Sequence, residues 1–484
     1  MHRRLTLVLA GVTALVVAGA VWALGRSGSE EAAPTTSLTT SSSRERPLTG
    51  TPGAPGVGDP YFPMLGNGGY DVEHYTLDLT WRADVGALDG VATIVATSTQ
   101  DLSRFDLDLS GMEVRSVTVD GTRATFHRSD AELEITPGAA IATGRGFTTI
   151  VTYTGAPEPV HLGTRLFATG WQTRGREAFV LSEPGGASTF FPVNDHPTDK
   201  ATYTLRVTAP SDQVVAANGL LVATDDIGHG TQAWTYEASD AMASYLVQIA
   251  IGDFELVDAG TVDGVVLRHA FHRTLATDAR VATERTADMI RVLAGVYGPF
   301  PFEAYGVLAV DEGLGVALET QTLTLIGSDL ASAGRGADPI LVHELAHQWV
   351  GDAVSVESWK DIWLNEGFAT YSQWLYEERT GGRSAAQVAR QYQGVGAFDA
   401  PPGDPGREEL FGPSVYIRGG MTLQALRERI GDGDFFTLLR TWVDEHRGGV
   451  VSTADLIALA ERVSGDDLDA LFEEWLGTGP LPVL

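Results

Sequence analysis

The sequence predicts an α+β chain of more than one domain, with an antiparallel β-sheet or sandwich first and a mainly helical domain after it. Three observations carry this prediction. The chain has 484 residues, enough for two cores. Apolar residues alternate with period two from about residue 68 to 273. After about residue 277 the period becomes 3.6.

Composition narrows the function classes. The formal charge is −30, so no basic surface is available to offset the repulsion of nucleic-acid phosphates or anionic lipid headgroups. There are no cysteines, which excludes disulfides, thiol nucleophiles and Cys-ligated metals. Any metal must be held by histidine and carboxylate.

Residues 1–26 read "MHRRLTLVLAGVTALVVAGAVWALGR". Arg3 and Arg4 precede roughly 20 apolar residues, the grammar of a signal peptide or a single transmembrane anchor. A retained anchor is favoured over cleavage, because the Ala-x-Ala at Ala18–Ala20 lies inside the apolar run. The positive-inside rule keeps the arginines in the cytoplasm and places the body of the chain outside it. Residues 27–60 are rich in Ser, Thr, Pro and Gly and read as a disordered linker.

Residues 61–258 are assigned to the β-domain. "YDVEHYTLDLTW", "VATIVATST", "ATYTLRVTAP" and "SYLVQIAIGDFEL" are β-branched and aromatic runs punctuated by Gly, Asp and Pro. Residues 259–484 are assigned to the helical domain. "DPILVHELAHQWVG", "NEGFATYSQWLYEERTGG" and "SVYIRGGMTLQALRERIG" have amphipathic helical spacing. Asp338 reads as an N-cap with Pro339 at the first helical position, and the helix is expected to run to about Gly351.

That helix carries the chemistry. His343 and His347 stand four apart, so one helical face aims both imidazoles at one ion. Glu344 lies beside them in H-E-x-x-H, a pattern of two zinc ligands and a general base. A catalytic zinc takes three protein ligands and keeps one position for water. Glu366, with 18 residues between it and His347, supplies the third from a second helix that packs back on the first. Gly367 is expected to let those two helices approach closely.

"HELAHQWVGD", "WKDIWLNEGFATY" and "SVYIRGG" resemble, in wording and order, the aminopeptidase N family of zinc metallopeptidases, over roughly residues 65–484. The resemblance implies a thermolysin-like catalytic domain holding one Zn2+ per chain through His343, His347 and Glu366. It implies Glu344 as the base and Tyr416 as the catalytic tyrosine stabilising the oxyanion. It also implies a short form, because the chain as given stops near the close of the catalytic domain; the site is then expected to open to solvent between two lobes.

H-E-x-x-H with a distal glutamate does not distinguish cleavage within a chain from cleavage at its end. The resemblance supplies candidate anchors for a free α-ammonium. Glu319 stands at the glutamate of the family's Gly-x-Met-Glu-Asn segment, with Val316, Leu318 and Thr320 where Gly, Met and Asn are expected. Glu183 matches the second amine-binding glutamate, with Leu181 in place of the usual glutamine. The expected substrates are peptides with a free N-terminus. No nucleic-acid or protein partner is indicated, and the membrane is met only through residues 1–26. The alternatives are a zinc endopeptidase on the same helices and a non-catalytic surface binding protein.

Overall fold

The strand Tyr70–Arg82 shows how alternation becomes a sheet. Tyr70, Val72, Tyr75, Leu77, Leu79 and Trp81 point into the core, while Asp71, Glu73, Asp78 and Arg82 face water. A bulge between Val72 and His74 shifts the register, which keeps Tyr75 on the inner face. The computed structural model describes residues 49–484, apart from 165–166, 394–397 and 399. The expected signal or anchor at 1–26 lies outside the described residues, as does most of the expected linker. Among the described residues no helix is long and apolar enough to cross a membrane.

Tyr70–Arg82 belongs to an eight-stranded sheet ordered Leu220–Gly228, Thr231–Ala243, Lys200–Pro210, Tyr70–Arg82, Ala87–Ser98, Gly146–Gly155, Glu113–Val119, Thr122–Arg123. All neighbours are antiparallel except Lys200–Pro210 on Tyr70–Arg82, which run parallel. Stacked Tyr75 and Tyr203 rings, 5.1 Å apart, join that pair across the core. Two four-stranded sheets complete this half. One contains Gly170–Arg174, Glu177–Leu181, Ile249–Gly252 and Val214–Ala217, and Glu183 follows its second strand.

The sheet changes at Asp253. Phe254–Val262 pairs with Val265–His272, which leads through Val307–Ala309 and Thr324–Ile326 to the antiparallel edge Ala317–Leu318. The expected boundary at 258/259 therefore falls inside a strand. Alternation continues across the change of sheet, so periodicity carries no mark of it. Helices follow, among them Asp338–His347, Trp363–Arg379 and Gly419–His446; the last breaks at Gly431 (φ 80°, ψ 161°).

The end of the expected linker is folded. Thr51–Pro52 pairs with Leu102–Asp108, and Asp59 is buried. The Asp59 carboxylate accepts hydrogen bonds from the Tyr61 and Phe62 N–H groups at 2.8 Å, the Trp359 N–H at 2.9 Å and the Ser358 hydroxyl at 3.0 Å. Burial opposes its charge, but these donors and His196 outweigh it and hold the pKa down at about 2. Polar composition indicated a linker; the short strand Thr51–Pro52 and the satisfied, buried Asp59 carboxylate tie its last residues to the fold.

Candidate metal and substrate site

The helix Asp338–His347 begins without a side-chain cap. Asp338 already has helical angles, and its carboxylate accepts from Arg285 at 2.8 Å. The expected N-cap is therefore a helical residue, with the preceding Gly334–Ala337 turn feeding straight into the helix. The helix ends at His347 rather than near Gly351. Leu341 through His347 are all buried, so both imidazoles sit in the interior.

The rings of His343 and His347 lie 4.8 Å apart, centroid to centroid. His347 Nδ1 donates to the Val350 carbonyl at 3.1 Å, which directs Nε2 toward the site. Glu366 enters from the first turn of Trp363–Arg379, where the helix N-terminus favours a carboxylate. Its Oε2 is 3.0 Å from His343 Nε2 and 3.5 Å from His347 Nε2. One donor atom from each of the three side chains lies within 4.8 Å of the others. Burial opposes charge on Glu366, but the two imidazoles outweigh it and hold the carboxyl down at about 2. Burial likewise opposes a proton on His347, but Glu366, Glu319 and Glu344 outweigh it and hold the imidazole up at about 10. Such a cluster demands positive charge, and two imidazoles with one carboxylate are a donor set that zinc takes.

Gly367 has a different partner from the one expected. A Cβ there would sit 2.9 Å from the carbonyl carbon of Gly419, and a Cβ on Gly419 would sit 3.1 Å from the Cα of Gly367. The close glycine crossing is thus between Trp363–Arg379 and the helix that follows Tyr416, not with the histidine helix. This crossing brings Glu366 and Tyr416 to one place. Tyr416 lies on a single wide turn, Ser414–Arg418, of the kind frequent at functional sites. Its ring stacks on His343 at 5.8 Å and 20°. Burial and the surrounding carboxylates push the phenol well above its ordinary range, so it remains an O–H donor.

The other predicted residues meet at the same place. Glu183, Glu319, His343, Glu344, His347, Glu366 and Tyr416 all line one cavity of about 320 Å³. Glu344 is buried beside the histidines; burial first, then Glu319 and Glu366, push its carboxyl up against the opposing pull of His347. Burial also pushes up Glu183 and Glu319, each with carboxylates for neighbours. Leu181 packs in an apolar cluster with Phe179, Leu318 and Leu323. Val316 lines the cavity, and Thr320 donates its hydroxyl to the Leu323 carbonyl.

Two residues were not singled out from the sequence. Gln348, next to His347, donates to the Glu319 carbonyl at 2.7 Å and accepts from the Thr322 N–H at 2.8 Å. Arg418 is fully buried and donates to the carbonyls of Glu474, Trp475, Gly477 and Gly479, which ties the Tyr416 turn to the last helix. A charged residue two places from the candidate tyrosine was the available signal for Arg418.

Comparison with known proteins agrees with this geometry. The family description "Peptidase M1 N-terminal domain" matches residues 71–246, and "Peptidase family M1 domain" matches residues 281–475. The chain belongs to peptidase family M1. An M1 zinc metallopeptidase from Deinococcus radiodurans has a TM-score of 0.83 and 34% identity, covering 89% of this chain and 98% of that one. A mutant of the Deinococcus M1 zinc metallopeptidase, solved bound to a Tyr-Ser-Ala substrate, has a TM-score of 0.81 and 33% identity over 88% of this chain and 99% of that one. Aminopeptidase M1 of Arabidopsis thaliana is 27% identical over an alignment of 335 positions that covers 63% of this chain. The chain spans only 37% of the length of that plant protein. Zinc is the cofactor of the M1 centre, in keeping with the donor set of His343, His347 and Glu366.

Proposed function

We propose that the chain is a zinc-dependent aminopeptidase that removes N-terminal residues from peptides. The observation that carries this reading is the arrival of Glu183 and Glu319, from separate sheets, in the cavity lined by His343, His347 and Glu366. The aminopeptidase name of the Arabidopsis relative and the tripeptide bound to the Deinococcus protein support it.

In this reading His343, His347 and Glu366 hold the zinc. When bound, zinc acidifies a water toward a pKa of about 7 and polarises the scissile carbonyl. Glu344 takes a proton from the attacking water and hands it to the leaving amine; its raised proton affinity suits it to both tasks. Tyr416 donates its O–H to the carbonyl oxygen as negative charge develops there. Glu183 and Glu319 accept hydrogen bonds from the α-ammonium and so place the first peptide bond over the metal. With Leu181 in the glutamine's place, the first specificity pocket has one polar contact fewer. The extracytoplasmic placement of the body, and its retention by residues 1–26, belong to the same proposal and rest on Arg3, Arg4 and the apolar run behind them.

The test compares aminoacyl-coumarins with their N-acetylated forms and with internally quenched N-blocked peptides. The reading requires hydrolysis of the free-amine substrates and its loss on chelation. Glu319→Gln is expected to lower kcat/KM about ten- to a hundredfold, the cost of a charged hydrogen bond. Cleavage of N-blocked peptides with no activity on free-amine substrates would instead select an endopeptidase.

A further inference from the structure

Glu183 and Glu319 come from sheets in different halves of the chain, yet both must meet one ammonium. Something has to set the distance between them. The buried turn Ser244–Leu246 touches the support of both. On one side, the Ser244 hydroxyl donates to Asp195 Oδ1 at 2.8 Å. Asp195 Oδ2 in turn accepts from the N–H groups of Gly186 at 3.1 Å and Ser188 at 3.2 Å, the loop that follows Glu183. On the other side, the Leu246 carbonyl accepts from Asn218 Nδ2 at 2.9 Å, and the same nitrogen donates to the Gln321 carbonyl at 2.6 Å, two residues beyond Glu319.

Between these two links stands Tyr245. Its ring packs edge-on against Trp359 at 5.3 Å, and its side chain is buried. The Glu319 carboxylate is the foremost charged neighbour of the Tyr245 hydroxyl, ahead of Asp352 and Glu183, and lies at the margin of hydrogen-bond reach. Among the described residues neither the phenol oxygen nor Glu319 Oε1 has a partner. A buried donor and a buried acceptor at the margin of reach are costly unless a further event joins them. Hydrogen bonds of this kind are often loose in the free protein and tighten when substrate binds. An ammonium on the cavity side of Glu319 supplies that event: it holds the carboxylate in one place, and the phenol behind it then has a fixed acceptor.

We propose that the turn Ser244–Leu246 sets the spacing of the two amine-binding carboxylates. In it Tyr245 is the positioning residue for Glu319, and Ser244, acting through Asp195, is the positioning residue for Glu183. This rests on the reading of those glutamates as ammonium anchors. Neither Ser244 nor Tyr245 touches the substrate or the metal donors in this assignment. Their contribution is felt in binding the free amine and not in the bond-breaking step.

The experiment is a double-mutant cycle on the full chain loaded with zinc, read as KM and kcat on an aminoacyl-coumarin. Tyr245→Phe removes one oxygen and keeps the ring. It is expected to raise KM about ten- to a hundredfold with kcat within about twofold, the range for one hydrogen bond to a charged group. In a Glu319→Gln background the same substitution is expected to add nothing, because its partner is already gone. Ser244→Ala should show the same masking with Glu183→Gln and not with Glu319→Gln. Effects of Tyr245→Phe and Glu319→Gln that multiply would overturn the proposal, since a general loss of packing acts independently of Glu319. A strong effect of Glu319→Gln with none from Tyr245→Phe would overturn the role of the turn and leave the anchors standing. No effect of Glu319→Gln itself would overturn both.

Discussion

Gly367→Ala tests the helix crossing that assembles the site. Two effects compete. Alanine in a helix interior is favoured over glycine by roughly 0.5–1 kcal/mol. Against this, the new methyl would sit 2.9 Å from the carbonyl carbon and 3.0 Å from the Cα of Gly419. Those atoms are backbone, so no side chain can swing away, and ordinary contact begins at about 3.4 Å. The two helices must part by about 0.5 Å or more, and overpacking of this sort costs about 1–3 kcal/mol. The clash therefore outweighs the propensity gain, and a net loss of about 1–2 kcal/mol is expected, a fall in Tm of a few degrees. The larger effect falls on activity. Glu366 precedes Gly367 and Tyr416 stands just before Gly419, so parting the helices moves the proposed oxyanion donor away from the proposed metal ligand. A misplacement approaching 1 Å costs about a hundredfold in rate. Thermal melting, zinc content and kcat on an aminoacyl-coumarin would be measured together. The reasoning predicts a kcat lowered at least tenfold with zinc retained. A variant that melts at or above the parent temperature with unchanged kcat would refute the crossing.

Tyr416→Phe should lower kcat about 10²–10³-fold with little change in KM, as for loss of one oxyanion donor; an unchanged kcat in steady-state assays removes the tyrosine from the mechanism. Glu344→Gln should abolish turnover while metal analysis still finds one zinc per chain, because the proposed base is not among the proposed ligands. Asp59→Asn should destabilise the fold by about 2 kcal/mol, since its carboxyl is held at about 2 against an ordinary 3.8. The folded state lowers this pKa, so the contribution is fully present above pH 3.8 and is lost as pH falls toward 2. Acid titration of the variant should therefore lack the parent's stability loss in that window, and identical curves would contradict the assignment.

The legible parts of the site were local. His343, Glu344 and His347 declare themselves through helical spacing alone, and Glu366 through the one reversal its distance allows. The alternation that placed Tyr75, Leu77 and Leu79 in the core was equally local. What escaped depended on partners distant in sequence. Gly367 was visible as a close-approach residue, but its partner Gly419 belongs to another helix. Asp59 looked like part of a solvated tail because its donors at 358 and 359 lie in the other half of the chain. The parallel pairing of Lys200–Pro210 with Tyr70–Arg82 leaves no trace in either strand's own pattern. Arg418 was hidden for the opposite reason: a charged side chain argues for the surface until four carbonyls are found around it.

Anomalous diffraction at the zinc edge, from crystals of the full chain, is the most direct measurement. The account predicts a single strong peak about 2.0–2.1 Å from the Nε2 atoms of His343 and His347 and bonded to Glu366. No peak there, or a metal seated on other side chains, would contradict it.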